Sequence, residues 1–336
     1  MTLTTTTVNT NTRPTQTSPP TKQSNTPNRD DKTTTTTTTF LNRLCYEAYT
    51  IWLFTRSDLK TIVLPKSVFG ILGAFTGSNL LSTGLSSQET LLRAPLVILW
   101  VWIVLLPCNI DNQYRARDIQ EDGLNRPWRP LPAKRLSSSQ AWRIMMVAHA
   151  VGLVYSWAVG GLREKVLGIC FGWLYNGLGA AHRSCVARNF VNALGYVTFS
   201  MGAISVAASS EVTERGVRWF MLVGCVVFTM VHMQDLPDVR GDALRGRKTV
   251  PLVVGGRVCR WSIAVMVPFW TVVAVGFWEA AVSVTAVVSG VLAIVVAVRV
   301  LRTDDASQDA VTYRLWNLWM VTMYVLPIAN GAGRME

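Results

Sequence analysis

Charged residues are scarce in this sequence: they make up 15% of the 336 residues, while half of all residues are hydrophobic and the mean hydropathy is +0.28. Soluble domains carry about 25% charged residues, so a soluble two-domain protein of this length is excluded. Residues 91–108, 262–277 and 280–298 carry almost no charge. Each stretch can cross a hydrocarbon core about 30 Å thick, which predicts an integral membrane protein.

The sequence also lacks any CxxC pair or regular cysteine spacing. Its six cysteines lie mostly in apolar surroundings, which indicates small buried residues rather than zinc ligands or disulfide partners. Residues 1–39 lack the short apolar core of a signal peptide and consist largely of Thr, Asn, Pro and Ser. We therefore expect a disordered cytosolic tail at 1–39 and a membrane domain at 40–336.

The net charge of +12 would raise the question of nucleic acid in a soluble domain. Here the cations lie between apolar spans and beside clustered aspartates, a pattern typical of membrane-flanking loops and of sites for anionic ligands. The expected partner is a lipid bilayer or a phosphate group, and no nucleic acid.

The apolar stretches predict an all-α fold, a multi-pass bundle of about nine transmembrane helices. Gly and Pro are frequent inside these stretches, which membrane helices accept more readily than soluble helices do. The predicted spans cover residues 60–82, 90–110, 138–159, 165–182, 190–208, 216–234, 258–277, 279–302 and 310–332.

Two polar connections, residues 111–135 and 235–257, each follow an apolar span directly and combine acidic with basic residues. In the first, Asp118 and Asp122 are four residues apart, so both carboxylates share one face if the preceding span continues as a helix. Glu121 lies three residues after Asp118 and shares that face.

In the second connection, Asp235, Asp238 and Asp242 fall at i, i+3 and i+7, again on one face of a helix, although Pro237 and Gly241 favour a distortion there. Like charges on one face repel each other unless a cation compensates them. Mg²⁺ is the natural cation, because one or two carboxylates together with substrate phosphate oxygens typically hold it.

Basic residues follow both acidic clusters and supply what a diphosphate needs, since arginine can bind phosphate in bidentate fashion. After the first cluster come Arg126, Arg129, Lys134 and Arg135, and after the second come Arg240, Arg245, Arg247 and Lys248. Two acidic clusters with matched cations, both at the ends of spans, predict a metal and diphosphate site at one membrane face.

These segments resemble the UbiA superfamily of intramembrane prenyltransferases, in particular its fungal branch. The second segment carries the most specific match, through Asp235, Asp238, Gly241 and Asp242 followed by Gly246, Arg247, Lys248, Thr249 and Pro251. The first segment matches through Asn112, Asp118, Asp122, Asn125, Arg126, Pro127, Arg129 and Pro130. The stretches 52–61 and 188–196 extend the resemblance over nearly everything after the tail.

The first segment departs from the family pattern of an Asn, an Asp one residue later, and aspartates four and eight residues after the Asn. Alignment of Asp118 and Asp122 with the last two positions puts Tyr114 in the Asn position and Arg115 in the first Asp position. Asn112 and Glu121 are the candidates to replace the missing groups.

The resemblance implies a helical bundle around a central cavity that two Asp-rich loops cap, and Mg²⁺-dependent ionisation of an isoprenyl diphosphate. It implies metal ligation or catalysis by Asp118, Glu121, Asp122, Asp235, Asp238 and Asp242, and diphosphate binding by Asn112, Arg126, Arg188, Asn192, Arg247 and Lys248. An apolar, aromatic cavity would keep water from the carbocation.

Three functions are compatible with these residues. The favoured one is prenyl transfer to an aromatic acceptor in secondary metabolism, and the alternative is cyclisation of the prenyl cation on its own chain, for example of farnesyl diphosphate to a sesquiterpene. A membrane carrier is disfavoured, because its acidic residues would lie near the bilayer midplane rather than at span ends. Analogy with the family suggests an endomembrane location, the endoplasmic reticulum.

Overall fold

The computed structural model describes residues 29–208, 210–302 and 304–331. It is 82% helical, and the described residues form no strands. Leu81 and Val212 form an isolated β-bridge. The α-helices are α1 (Arg29–Thr55), α2 (Leu64–Phe75), α3 (Ser87–Asp111), α4 (Ala116–Asn125), α5 (Ser138–Val159), α6 (Leu162–Gly172), α7 (Ala180–Arg183), α8 (Cys185–Ala208), α9 (Glu214–Met230), α10 (Val239–Arg245), α11 (Val250–Val254), α12 (Gly256–Phe277), α13 (Val284–Arg302) and α14 (Ala306–Gly331).

The chain divides into two compact units, residues 1–47 and 48–336. In the first unit the described residues belong to α1, where Arg43 pairs with Glu47 at 3.0 Å. The backbone of residues 29–39 is helical, whereas the sequence predicts a disordered tail through residue 39. The rest of that predicted tail, residues 1–28, lies outside the described residues.

The second unit contains the remaining helices, and the prediction of an all-helical membrane fold is confirmed. Six helices are long and apolar enough to cross a membrane in the described part of the chain: α3, α5, α8, α9 with its continuation to Asp235, α12 and α13. The other three predicted spans, at 60–82, 165–182 and 310–332, are helical but are not among the helices that are long and apolar enough by themselves. The span at 60–82 is divided into a π-helical turn at Leu59–Val63, α2, and a 3₁₀ turn at Gly77–Asn79.

Local sequence explains where several spans begin. Ser86 accepts a hydrogen bond from the Glu89 backbone N–H while the Glu89 carboxylate accepts one from the Ser86 backbone, which forms a capping box at the start of α3. Ser137 and Gln140 form the same motif at the start of α5. Both helices therefore start at residues that satisfy the first free backbone N–H groups.

Small residues bring the spans of the second unit into close contact. The nearest backbone atom of Ala203 would lie 2.7 Å from a Cβ added to Gly70, so α2 and α8 approach each other at this glycine. Gly202 faces the ring of Trp100, which is fully buried and donates its indole N–H to Ser156 at 2.9 Å. Close approach at small residues is a common way for membrane helices to associate.

Large hydrophobic side chains point outward from several spans. Val154, Trp157 and Val272 are each more than 60% exposed, as is Val287 on α13. Soluble proteins rarely expose contiguous apolar surface of this extent, whereas a bilayer solvates it. The protein is an integral membrane protein, as the sequence predicts.

Candidate active site

One cavity of about 640 Å³ in the second unit brings both Asp-rich segments together. Its size lies in the ordinary range for small-molecule sites. Six carboxylates and five arginines line it: Asp58, Asp111, Glu121, Asp122, Asp235 and Asp238, and Arg126, Arg129, Arg188, Arg247 and Arg314. This concentration of charge beside membrane spans is costly unless it serves a ligand.

Helix α8 forms a continuous wall of this cavity. Arg188, Asn192, Tyr196 and Phe199 all line it, at helical spacings that place them on one face. Eleven residues separate Arg188 from Phe199, which corresponds to about 16 Å along the helix. The cavity therefore extends from a charged region at the start of α8 to an aromatic region deeper in the bundle.

The first Asp-rich segment lies on a separate short helix. α3 ends at Asp111 and α4 begins at Ala116, so the predicted continuation of the second span as one helix through Asp122 is wrong. Four residues separate the two helices, and α4 packs on α10. Asp118, Glu121 and Asp122 are all buried and share α4, as their spacing predicts.

The second Asp-rich segment is irregular. Asp235 ends a 3₁₀ turn, Asp238 precedes the first residue of α10, and Asp242 lies within α10. The prediction that the three aspartates share one helical face is therefore wrong, and the distortion expected from Pro237 is present. Gly241 permits close contact with α4, because a Cβ there would lie 2.2 Å from Asn125 Nδ2.

Ion pairs connect the two segments to each other, in addition to those within each segment. Arg126 of the first segment donates to Asp238 at 2.6 Å. Arg245 and Arg247 of the second segment donate to Glu121 at 2.9 Å and 2.7 Å. Each segment therefore supplies arginines to carboxylates of the other, and the two segments form a single site.

Arg188 connects α8 with the second segment. Its guanidinium donates to both Asp235 oxygens, at 2.6 Å and 3.4 Å, and to the Tyr175 hydroxyl at 2.5 Å. The Arg188 and Asp235 side chains are 6% and 1% exposed. Such a buried, forked pair has fixed geometry, which orients the guanidinium toward the cavity wall.

Burial raises the pKa of three carboxyls of the site, those of Asp118, Asp122 and Asp242. It raises the pKa of Asp122 to about 6, although Arg129 lies 2.6 Å away and opposes the shift. It also raises the pKa of Asp242 to about 6, against the nearby charges of Arg188 and Arg247. Asp122 and Asp242 therefore exchange protons readily near neutral pH, so a cation that binds there competes with protons.

The cavity contains most of the predicted site residues. The nine that line it are Asn112, Glu121, Asp122, Arg126, Arg188, Asn192, Asp235, Asp238 and Arg247. Asp118 and Asp242 lie behind this lining, where Asp118 pairs with Arg245 and Asp242 accepts from Arg247 at 2.9 Å. Lys248 is exposed and does not line the cavity.

The chemistry of the donors fits a divalent cation, although the described residues contain no group of three or more acidic, His or Cys side chains already gathered as ligands. One oxygen each of Asp122 and Asp242 is buried without a hydrogen-bond partner. Carboxylate oxygens of this kind are the ligands that Mg²⁺ prefers. Arginines hold the other oxygen of each carboxylate.

Arg115, in the first Asp position of the family pattern, and Asn112, a candidate to replace the missing groups, both lie near Asp111 at the end of α3. Arg115 donates to Asp111 at 2.8 Å and does not line the cavity. Asn112 does line it, and its side-chain oxygen accepts from Asn176 at 2.8 Å. Asn176 also donates to Asp111 at 2.6 Å, so Asn112 and Asp111 form one polar patch at the end of α3.

The sequence did not single out several residues of this site. Asp58 and Asp111 line the cavity, and Asn109 donates to Asp58 at 2.7 Å. Neither aspartate belongs to a cluster with a recognisable metal-ligand spacing. The only available signal for Asp58 was its place in the stretch 52–61, which shares the family resemblance.

The chain matches the model of the UbiA prenyltransferase family over residues 70–319. It therefore belongs to this family, as its motifs predict.

Curated relatives include synthases, a cyclase and a transferase. The fumagillin β-trans-bergamotene synthase of Aspergillus fumigatus is 29% identical over 83% of this chain and 91% of its own. The somaliensene A/B synthase of Streptomyces somaliensis is also 29% identical, over 84% and 92%. A polyprenyl transferase of Hericium erinaceus is 27% identical over 66% of this chain and 74% of its own.

Solved structures share the fold. A UbiA homologue from Archaeoglobus fulgidus, determined with GPP and Mg²⁺ bound, superposes with a TM-score of 0.59 at 16% identity, over 83% of this chain and 99% of that one. The same homologue with DMAPP and Mg²⁺ gives a TM-score of 0.58. The fold of this chain is therefore that of the family.

Proposed function

We propose that this protein ionises an isoprenyl diphosphate within the membrane, with Mg²⁺ as cofactor, and that the resulting allylic cation cyclises on its own chain. The observation that carries the proposal is the single cavity where both Asp-rich segments, four of their arginine and carboxylate pairs, and a wall of aromatic rings meet. The relatives' names and the ligands of the Archaeoglobus fulgidus homologue support it.

Asp122 and Asp242, each with an unpartnered oxygen, would hold the cation together with Glu121, Asp235 and Asp238, and Asp118 would support them from behind the lining. Bound Mg²⁺ neutralises negative charge that develops on the leaving diphosphate. Arg126, Arg188 and Arg247, with Asn112 and Asn192, bind diphosphate oxygens. The Asn192 amide nitrogen is buried at the cavity without a hydrogen-bond partner, so it is ready to donate. Lys248 contributes only through its positive charge.

Ionisation needs no protein nucleophile, because the arginines stabilise the leaving group as the carbon–oxygen bond breaks. The carbocation then meets a wall that includes Phe171, Tyr175, Tyr196, Phe199 and Tyr313. Aromatic faces attract cations and exclude water, so the rings both stabilise the cation and delay its capture as an alcohol.

Cyclisation is favoured over transfer by the relatives that align along most of this chain. The bergamotene synthase, the somaliensene synthase and a diterpene cyclase of Hericium erinaceus each cover 83–84% of it, whereas the polyprenyl transferase covers 66%. Prenyl transfer to an aromatic acceptor remains the second candidate, because the sequence favours it and a transferase is among the relatives. Both reactions share the ionisation step.

An incubation of microsomes distinguishes cyclisation from transfer. The microsomes contain the protein and receive Mg²⁺ and geranyl, farnesyl or geranylgeranyl diphosphate. Without any acceptor, we expect diphosphate release and a cyclic hydrocarbon that gas chromatography with mass spectrometry identifies. Product formation that begins only when a phenolic acid or hydroquinone is added would refute cyclisation and support transfer. The matched control is Asp238→Asn, which removes a carboxylate of the cavity.

We also propose that the protein resides in an endomembrane, the endoplasmic reticulum, with residues 1–39 as a tail on the cytosolic side. A fluorescent fusion in a fungal host tests the location, and protease treatment of sealed microsomes tests the side of the tail. Protection of the tail in intact vesicles would contradict this orientation.

A further inference from the structure

Asp58 differs from the other carboxylates that line the cavity. Within the part of the chain that the structure describes, the other five each pair with an arginine within 4.0 Å, whereas Asp58 forms no such ion pair. An arginine that donates to a carboxylate oxygen occupies that oxygen and keeps a proton from it. Asp58 is therefore the cavity carboxylate that no arginine of the described residues holds directly.

The fold holds Asp58 in place without neutralising it. Asp58 immediately precedes the π-helical turn Leu59–Val63, and its backbone carbonyl accepts hydrogen bonds from that turn. Asn109 on α3 donates to Asp58 Oδ2 at 2.7 Å. The other oxygen, Oδ1, has only a long contact of 3.5 Å from the Thr61 hydroxyl. One oxygen is thus fixed while the other remains able to accept a proton.

Asp58 lies at the border between the charged and the aromatic regions of the cavity. On one side, the neighbouring Ser57 hydroxyl accepts from Arg129 at 3.4 Å, where the diphosphate would bind. On the other side, Asp58 leads into the turn Leu59–Val63, which contacts α14, the helix that carries Tyr313 of the aromatic wall.

The proposed reaction must end with loss of a proton from carbon. The C–H bond next to the cationic carbon breaks, its electron pair forms a C=C bond, and the proton needs an acceptor that is not held by metal. We propose that Asp58 is this acceptor and therefore a catalytic residue. Oδ1 takes the proton and the carboxylic acid later returns it to water or to the released diphosphate. The proposal rests on the proposed function.

The test measures two quantities on purified protein in nanodiscs with farnesyl diphosphate and Mg²⁺: the rate of diphosphate release and the distribution of products. The variant Asp58→Asn keeps an oxygen that accepts from Asn109 but removes the basic carboxylate. The control Asp304→Asn changes a fully exposed carboxylate whose partner, Arg260, keeps its shorter contacts to Asp309.

We expect Asp58→Asn to release diphosphate within about threefold of the wild type, because ionisation does not require a base. The fraction of the wild-type hydrocarbon should fall at least about tenfold. This is less than the roughly 10²–10⁴ that a general base contributes, because water and the diphosphate also accept protons. Alcohols from water capture or isomeric olefins should replace it. Asp304→Asn should match the wild type in both quantities.

An unchanged product distribution in Asp58→Asn would overturn the proposal, and so would a loss of diphosphate release in proportion to the loss of hydrocarbon. If Asp58→Asn does not fold, Asp58→Glu provides the decision, because it moves the carboxylate by one methylene and should change the ratio of olefin isomers. An identical ratio overturns the proposal. Absence of diphosphate release from the wild type would instead refute the proposed function itself.

Discussion

The contact between Gly241 and Asn125 joins the two Asp-rich segments, and Gly241→Ala tests its importance. The added Cβ would lie 2.2 Å from Asn125 Nδ2 and 2.7 Å from its Cγ, whereas unstrained heavy atoms lie about 3.5 Å apart. The Asn125 amide, which lines the cavity, or one of the two helices must therefore move by about 1 Å. A displacement of about 1 Å at reacting groups can cost on the order of 100-fold in rate.

We expect Gly241→Ala to reduce diphosphate release by about 100-fold and to lower the free energy of unfolding by about 1–3 kcal/mol, typical of overpacking. Release is measured by a coupled diphosphate assay on purified protein, and folding by thermal unfolding in detergent. The matched control is Gly123→Ala on the facing helix, where an added Cβ has no neighbour within 4 Å. It should retain the rate of the wild type.

The double variant Gly241→Ala with Asn125→Ala removes the amide that obstructs the new methyl group. It should recover at least about tenfold of the lost rate, because relief of the contact lets α4 and α10 return toward their original spacing. If Gly241→Ala keeps the rate of Gly123→Ala, or if the double variant is no faster than Gly241→Ala, the close contact between α4 and α10 is not needed for diphosphate release.

Three further predictions follow from the site. In Arg188→Lys, a single amine cannot donate to both Asp235 and Tyr175 as the guanidinium does. Diphosphate release should therefore fall by about 10- to 100-fold with the fold retained, equivalent to roughly 1.4–2.8 kcal/mol. An unchanged rate would contradict the role of these two hydrogen bonds. Gly195 lines the cavity with open space at its Cβ, so Gly195→Phe should lower the rate with farnesyl relative to geranyl diphosphate by about tenfold, and an unchanged ratio would exclude the cavity as the prenyl site. The raised pKa values of Asp122 and Asp242, about 6 against 3.8, mean that the folded state binds more protons than the unfolded state between these values. Stability without metal should therefore decline as pH rises from about 4 to 6. Stabilisation by Mg²⁺ should grow over the same range, because the metal needs deprotonated carboxylates. Melting curves at pH 5 and 7.5 with and without Mg²⁺ check this, and a larger Mg²⁺ effect at pH 5 would contradict it.

The spans were predictable where hydropathy and capping agree. α5 covers Ser138–Val159, the predicted span, because Ser137 and Gln140 fix its start and the following residues are apolar. The span at 60–82 was not predictable in its details. Its composition is mostly apolar, with Lys60, Lys66 and Asn79 among the exceptions. A π-helical turn at Leu59–Val63 divides the span, and neither this turn nor the contact of α2 with α8 leaves a periodic signal in the sequence.

The members of the site were more predictable than their arrangement. Asp122, Asp235, Arg188 and Arg247 follow from the motifs and line the cavity. Their partners do not follow, because more than 100 residues separate Glu121 from Arg247, and sequence spacing has no bearing on such contacts. Asp58 escaped notice since a single carboxylate between basic residues has the pattern of an ordinary surface charge.

Ionisation at this site is tested by diphosphate release from the purified wild-type protein in nanodiscs with farnesyl diphosphate, measured as a function of Mg²⁺ and compared with Asp235→Asn. We expect release that depends on Mg²⁺, that accompanies formation of a cyclic hydrocarbon without any acceptor, and that is nearly abolished in the variant. No release from any isoprenyl diphosphate, with or without aromatic acceptors, or equal release from the variant, would contradict ionisation at this site.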